Sequence, residues 1–241
     1  MILSIIIPVY NEGANIRHAI EAINSKLKYE HEILIVYDFD EDNTLPVIRE
    51  LGQKNIRLVK NAYGRGALNA IRTGLESGTG KYEIVTMADL SDPPEVMNSM
   101  IEIAERDNAS VVCASRYMKG GSQHTHSLKM FIKGIMSRTA GVSLYYLAGV
   151  PTHDATNSFK LYAKSFLENV TIESSGGFEL GIELVVKAYS MGLVIREVPT
   201  EWHDRTAGQS RFKILKWLPN YLHWYFYAFT HRRKQRRTNE A

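Results

Sequence analysis

Five short runs rich in Ile and Val recur through the first 115 residues, each parted from the next by a helical pattern. This alternation constrains the fold more than any other feature of the chain. The runs are Leu3–Val9, Glu32–Asp38, Ile56–Lys60, Glu83–Asp89 and Ser110–Ser115. A strand wetted on one face alternates apolar with polar residues. These runs scarcely alternate, so they are expected to be buried on both faces, as in a parallel sheet. Helical periodicity near 13–27, 43–53, 65–78 and 94–106 supplies the crossovers that parallel strands require. Pro93-Pro94 suits the start of the last helix, where a missing N–H costs nothing. The expectation is an α/β domain: a mostly parallel central sheet flanked by helices, its ligand crevice beyond the carboxyl ends of the strands.

The rhythm changes in the second half. Residues 128–148 read as one long helix mixing apolar and basic side chains. Asn157–Tyr162 and Leu193–Trp202 read as strands, Phe178–Met191 as a helix, and Ile214–Thr230 as an amphipathic helix rich in aromatics. We place one domain over 1–212 and a C-terminal helix and tail over 213–241.

Apolar residues make up 44% of the chain and charged residues 23%, which excludes a disordered or collagen-like protein. The one cysteine, Cys113, cannot form an internal disulfide. Its apolar setting, VVCAS, suggests a buried thiol and a cytosolic interior. The net charge of +3 hides a segregation. Residues 205–241 hold nine Lys/Arg against one acid, a net +8, while the rest of the chain is −5. A basic tail on an acidic body points to an anionic partner: a membrane leaflet, nucleic acid or a phosphorylated substrate.

The opening MILSIIIPVYNEG has no basic n-region, so no signal peptide is expected. No uncharged stretch, Thr139–His153 included, exceeds 15 residues, short of the roughly 20 that span a bilayer. Seven aromatics lie between Trp217 and Phe229, and five basic residues follow within 232–237. That pattern fits an interfacial helix with a basic end. A helix docked on the core with a solvated basic end is the alternative. Lys129, Lys133 and Arg138 among Leu, Met, Phe and Ile make residues 128–148 either a second membrane-facing element or a buried hairpin. The expected location is peripheral, on the cytoplasmic face of a membrane, with room for a membrane partner protein or a homo-oligomer. Nucleic acid is not expected, because the aromatics belong to an apolar helix rather than a sheet platform.

Polar residues gather where the strands end: Pro8-Val9-Tyr10-Asn11-Glu12, then Asp38-Phe39-Asp40-Glu41-Asp42, Met87-Ala88-Asp89-Leu90-Ser91-Asp92, and Ser115-Arg116. One such carboxylate can simply cap a helix. Acidic clusters after two strands at one sheet edge suit ribose hydroxyls or a divalent cation on a diphosphate. Gly64-Arg65-Gly66 opens a helix but lacks the Gly-Lys-Ser/Thr ending of a P-loop. The first strand leads into Asn-Glu-Gly rather than Gly-x-Gly.

Taken in order, these segments resemble family 2 glycosyltransferases of the GT-A fold, above all the dolichol-phosphate mannose synthase-like branch. Ser4-Ile-Ile-Ile-Pro8-Val-Tyr10-Asn11-Glu12 resembles the family's opening. Val36-Tyr37-Asp38-Phe39-Asp40-Glu41-Asp42-Asn43-Thr44 stands where the family has V-D-D-x-S-x-D-x-T. Asn61 to Asn69 resembles N-x-G-x-G-x-A-x-N, and Met87 to Glu95 covers the D-x-D segment. Ser115-Arg116-Tyr117 with Gly120-Gly121, Asp154 to Phe159, Phe178 to Glu183, Val198-Pro199 and Arg205 to Arg211 follow in unbroken order. Tyr37 replaces the first Asp of V-D-D, Met87 the first acid of D-x-D, and Ser158 the Gly of S-G-F. Ser91 stands where this branch often has Gln, and Asp92 where it often has His.

The resemblance implies sugar transfer from a nucleotide-diphosphate sugar, GDP-mannose-like or a UDP-sugar, to a polyprenyl-phosphate lipid at a membrane surface. It implies donor contacts from Pro8, Tyr10, Asn11, Glu12, Asp38, Asp40, Gly66, Asp89 and Ser91. It implies Mg²⁺ or Mn²⁺ at Asp89, Ser91 and Asp92. Asp89, Arg116 and Arg205 become the catalytic set, and Arg116, Arg205, Ser210 and Arg211 the acceptor and phosphate contacts. A departing diphosphate needs cations around it, which a metal and bidentate arginines supply. A lipid phosphate is already an anionic nucleophile, so no strong general base is needed. A soluble saccharide or protein acceptor, or an inactive nucleotide-sugar-binding relative, are the alternatives. Glu179 and Glu183, four apart on one helical face, suit either an ion-pair or cap role or catalysis. His124, His126 and His153 lack ligand-like spacing, so no zinc site is expected.

Overall fold

Strands form where Ile, Val and Leu run unbroken. The computed structural model describes residues 1–125, 128–204 and 214–231. In chain order the strands are β1 (Leu3–Val9), β2 (His31–Tyr37), β3 (Ile56–Lys60), β4 (Tyr82–Val85), β5 (Val111–Ser115), β6 (Ser122–His124), β7 (Lys160–Ala163), β8 (Ile195–Pro199) and β9 (Glu201–His203). Seven of them make one sheet in the order β3-β2-β1-β4-β7-β5-β8, and β6 pairs with β9 in a small parallel ribbon. Within the large sheet only β7 runs antiparallel, inserted between β4 and β5.

Both faces of the sheet are covered, which is why its strands read as continuous apolar runs. Helices α1 (Ile16–Lys26), α2 (Thr44–Leu51) and α4 (Val96–Asp107) pack on one face, against Leu3, Ile5 and Ile7 of β1. The other face, around Ile6, receives α3 (Ala67–Ser77), α7 (Leu180–Ser190) and α8 (Ile214–Thr230). Helix α5 (Leu128–Ser143) runs on into a π-helical turn, Leu144–Ala148, which ends at Gly149 with φ +83°. A four-residue helix, α6 (Lys164–Leu167), follows β7.

Several expected boundaries shift for local reasons. The strand expected over Glu83–Asp89 ends at Val85, because its neighbour β7 starts only at Lys160, opposite Val85. Residues 86–89 are thereby released toward the sheet edge. The strand expected over Asn157–Tyr162 starts at Lys160, since Asn157 is turned aside by bonds from Phe159 N–H to its Oδ1 and from its Nδ2 to Ala114 O. The run Leu193–Trp202 breaks at Thr200, whose N–H bonds Ser115 O while its carbonyl receives Ser122 N–H. The chain thus passes from β5 to β6 as its partner. The helix expected over 128–148 is α5 plus the π-helical turn.

The C-terminal helix α8 is docked. Trp224 and Ala228 are buried, and Trp224 Nε1–H donates to Ser174 Oγ at 2.9 Å. Gly177 admits Trp217, since a Cβ there would lie 2.9 Å from the indole. Leu222 and Phe226 nevertheless face outward, 44% and 59% exposed. Among the described residues no helix is long and apolar enough to cross a membrane. The boundary expected at 212/213 falls outside the described residues, as does the basic run 232–237.

Candidate active site

At the carboxyl edge of β1 and β2 the two following loops are clipped together. Asn11, Glu12 and Gly13 donate their backbone N–H groups to Asp42 Oδ2, Thr44 Oγ1 and Asn43 Oδ1, each at 2.9 Å. Gly13 is required there: a Cβ would lie 2.7 Å from Asn43 O. Asn11 adopts φ +56°, a conformation Asn tolerates better than most residues. Pro8 is the last but one residue of β1. Tyr10 meets Phe39 edge-on with ring centroids 5.4 Å apart, and the Arg65 guanidinium lies 5.0 Å over the Phe39 ring. The Asp38 carboxylate accepts Asn61 Nδ2–H at 2.7 Å and Gly66 N–H at 3.0 Å, so it shapes the Gly64–Gly66 loop. Asp40 is exposed and paired with Lys60.

A cavity of about 330 Å³ opens beyond β4 and β5. It gathers Asp89, Ser91, Asp92 and Arg116 from the sequence-derived set; Pro8, Tyr10, Asn11, Glu12, Asp38, Asp40 and Gly66 lie along the same sheet edge but do not line it. Asp89 Oδ1 accepts Ser91 N–H at 3.1 Å, and Ser91 O accepts His203 N–H, tying β9 to this loop. Asp92 is 5% exposed, and its Oδ1 has no hydrogen-bond partner. Burial pushes its carboxyl up to about 7. A buried, unpartnered carboxylate oxygen beside a second carboxylate suits a hard divalent cation, so the residues fit Mg²⁺ or Mn²⁺. Among the described residues no three His, Cys, Asp or Glu converge to hold a metal. Asp89 and Asp92 would therefore leave most coordination positions to substrate or solvent oxygens, as is usual for Mg²⁺.

Arg116 is held from behind. Its Nε–H and Nη2–H donate to the two oxygens of Asp154 at 2.7 and 2.9 Å, and Nη2 also reaches Ser137 Oγ at 3.0 Å. Asp154 is fully buried. Burial alone would raise its pKa, but the adjacent guanidinium outweighs this and holds the carboxyl below its ordinary value. Arg116 Nη1 makes no hydrogen bond among the described residues, which leaves one edge of the fork for a ligand. Behind the wall, Lys160 is fully buried with no hydrogen-bond partner at Nζ, and burial lowers its pKa.

The cavity mouth lies between α5 and α8. Met136 and Ala140 face it from one side, Leu218 and Leu222 from the other, with Phe178 and Ile182 deeper. Ser143 Oγ and Tyr225 Oη, 3.0 Å apart, join the two helices. Sequence reasoning had no site role for Lys133, which lines the same wall. The available signal was a cation one helical turn before Ser137 in an otherwise apolar stripe.

Glu179 and Glu183 are fully buried and organise the loop before α7. Glu179 accepts the N–H groups of Gly176 and Gly177 and Asn220 Nδ2–H of α8. Glu183 accepts the N–H groups of Glu173 and Ser174 and pairs with Lys187 at 2.7 Å. Neither lines the cavity. His124 stacks on His203, and His153 pairs with Glu197. His126, Arg205, Ser210 and Arg211 lie outside the described residues.

This doubly covered sheet with acidic loops at one edge is the GT-A fold. Glucosyl-3-phosphoglycerate synthase from Mycobacterium tuberculosis, solved with Mn²⁺, UDP-glucose and phosphoglyceric acid, superposes with a TM-score of 0.71 at 14% identity, over 95% of this chain and 80% of that one. The same enzyme with Mg²⁺ and UDP gives a TM-score of 0.65 at 15% identity, over 95% and 79%. Residues 4–171 match the model of Glycosyl transferase family 2, and the chain belongs to that family. It is 29% identical over 217 residues to the dolichol-phosphate mannosyltransferase of Pyrococcus furiosus, covering 88% of this chain and 60% of that protein. It is 26% identical to the polyprenol monophosphomannose synthase of Mycolicibacterium smegmatis, covering 88% and 85%.

Proposed function

We propose that the chain transfers a sugar from a nucleotide-diphosphate sugar to a polyprenyl phosphate at a membrane surface. One observation carries the reading: a single cavity joins a charged floor of Asp89, Asp92 and Arg116 to an apolar mouth between α5 and α8. An acceptor with an anionic head and a hydrocarbon chain matches both halves. A soluble sugar acceptor leaves the mouth unused. The relatives' names favour mannose as the sugar, and a UDP-sugar is the alternative.

The outward faces of both helices support attachment to a leaflet. Phe131, Ile132, Ile135 and Met136 of α5, Tyr146 and Leu147 of the π-helical turn, and Leu222 and Phe226 of α8 are each at least 40% exposed. Side chains of this kind gain roughly 1–2 kcal/mol apiece on leaving water from half exposure. Met136 and Leu222 also line the cavity, so burying these faces in a leaflet would bring the site to the lipid.

In this reading the β1 and β2 loops, with Pro8, Tyr10, Asn11, Glu12, Asp38, Asp40 and Gly66, hold the nucleotide. Asp89 and Asp92, with Ser91, hold the cation, which when bound neutralises charge building on the leaving diphosphate. Arg116 presents its Nη1 edge to a phosphate, its plane fixed by Asp154. Arg205, Ser210 and Arg211 add further phosphate contacts. No side chain need remove a proton, since the acceptor attacks as an anion.

The test is a donor and acceptor screen. GDP-mannose and UDP-sugars are offered with dolichyl or undecaprenyl phosphate, with and without Mn²⁺. A metal-dependent lipid-linked sugar is expected. Transfer to soluble acceptors alone would overturn the lipid reading, and no transfer from any donor would favour an inactive binder.

A further inference from the structure

Two lysines are buried near α7, and the fold treats them differently. Lys187 of α7 donates to Thr171 O and to the carboxylates of Glu173 and Glu183. Lys160 of β7 is fully buried, and its Nζ has no hydrogen-bond partner. An ammonium taken out of water without acceptors costs folding energy, and an apolar residue of similar volume would cost none. A local rule broken in this way marks a functional demand.

Strand register shows what Lys160 stands behind. It lies opposite Val85 of β4 and Cys113 of β5. Leu161 packs into the core on one face of the sheet and Tyr162 into the core on the other, so Lys160 shares the Tyr162 face. Its Nζ ends 3.5 Å from where a Cβ on Gly181 would lie. That is the first turn of α7, next to Ile182, which lines the cavity. The acids at this end of α7 are committed elsewhere, Glu179 to the N–H groups of Gly176 and Gly177, and Glu183 to Lys187. The charges acting on Lys160 are those of the cavity floor. Burial lowers its pKa, Cys113, Asp154 and Asp92 oppose that, and Arg116 adds to it. Asp154 spends its hydrogen bonds on Arg116, Thr156 and the Asn157 N–H, so Lys160 acts on it through the field alone.

The charge balance of the floor therefore does not end with the Arg116–Asp154 pair. A carboxylate close enough to fix a guanidinium also cancels most of its charge for a ligand. With Lys160 behind, two cations share one carboxylate. We propose that Lys160 is a positioning residue, a buried second counter-charge that lets Asp154 fix the plane of Arg116 without cancelling its attraction for the diphosphate of the donor. This rests on the nucleotide-sugar reading above and goes beyond it by naming a residue that touches no ligand. The same field has an opposite effect on a bound cation, which Lys160 repels from Asp89 and Asp92.

Lys160→Met keeps the volume and removes the charge. GDP and UDP are titrated calorimetrically in EDTA, so that only the protein's own cations attract them, and Mn²⁺ alone is titrated by electron paramagnetic resonance. Lys160→Met is expected to weaken the tighter-binding nucleotide roughly five- to fiftyfold, the scale of one unit charge acting through protein at an effective dielectric of about 20. Mn²⁺ should bind more tightly to the same variant. Adding Asp154→Asn, which removes one negative charge and keeps an acceptor for Arg116, should restore most of the nucleotide affinity. Unchanged nucleotide binding in Lys160→Met overturns the proposal and leaves the donor reading intact. Weaker binding of nucleotide and Mn²⁺ alike also overturns it, since Lys160 is then a packing residue. So does a loss that Asp154→Asn fails to restore. Wild type that binds neither nucleotide overturns the proposal together with the donor reading. If nucleotide affinity follows the charge at 160 but no sugar reaches any acceptor, the transfer reading fails and the role of Lys160 stands.

Discussion

Arg116 illustrates how a cavity-lining group can also hold the core together. Its partner Asp154 has no access to solvent, so Arg116→Ala would strand a buried carboxylate. The expected cost is about 3–5 kcal/mol, read by urea denaturation. Pairing Arg116→Met with Asp154→Asn removes both charges, keeps an acceptor for the backbone N–H groups at 116 and 157, and should recover part of that loss. If the double variant is no more stable than the single one, the pair is not the origin of the cost. Transfer is best assayed in the double variant, which is expected to fold without the guanidinium. Asp89 presents the opposite case. Its Oδ1 accepts Ser91 N–H, a bond that Asn can also accept. Asp89→Asn should abolish metal-dependent transfer with little change in melting temperature, and near-normal turnover at saturating Mn²⁺ would remove Asp89 from the metal site.

At the scale of elements, α8 combines two roles that its sequence left as alternatives. Its inner face is core: Trp224 and Ala228 are buried, and Trp217 and Asn220 close over the loop that Glu179 pins. Truncation after Lys213 should therefore lower the melting temperature without any lipid present. Replacing Arg232, Arg233, Lys234, Arg236 and Arg237 with Gln leaves the helix intact. At about 1 kcal/mol per basic residue near an anionic surface, that variant should lose up to ~5 kcal/mol of affinity for anionic vesicles. Sedimentation with vesicles as complete as the parent's would make the basic run a solvated end. The parallel strands were legible because burial on both faces writes a continuous apolar run. The direction and neighbours of β7 were not, since four buried residues carry no record of which strands flank them. The Arg116–Asp154 pair was equally hidden: both residues stood in recognised motifs, but nothing local links positions 38 apart.

Across the whole molecule the sheet has two unlike ends. The carboxyl ends carry the cavity. Near the amino ends, Glu83 of β4 is fully buried, with Lys164 Nζ 2.8 Å from one oxygen and the other unpartnered. Burial pushes this carboxyl up to about 7. The folded protein thus holds a proton that the unfolded chain releases at its ordinary, lower pKa. The contribution is complete at acid pH and is lost as pH rises through the window that ends near 7. At ~1.4 kcal/mol per unit the loss is on the order of 3 kcal/mol. Wild type should lose more stability between pH 5 and 8 than Glu83→Gln does. Asp92 shifts in the same direction in both proteins and so cancels from the comparison, and parallel stability curves would show that Glu83 is not the source.

The inserted strand β7 also bears on how the chain is made. When β4 leaves the ribosome, one of its edges has no partner, because that partner is encoded about 80 residues later. At typical synthesis rates of 5–20 residues per second, the gap lasts roughly 4–16 s. During that interval the nascent half-sheet β3-β2-β1-β4 presents an open edge of buried-type residues, and β5 emerges with neither of its eventual neighbours available. The joining of β4 to β5 is thereby tied to the arrival of the Asp154–Ala163 segment, the same stretch that brings Asp154 to Arg116. A chain stalled before that point would be a substrate for chaperones and a seed for edge-to-edge association, and one that passes it gains the strand that bridges its two half-sheets and the anchor of its cavity arginine together.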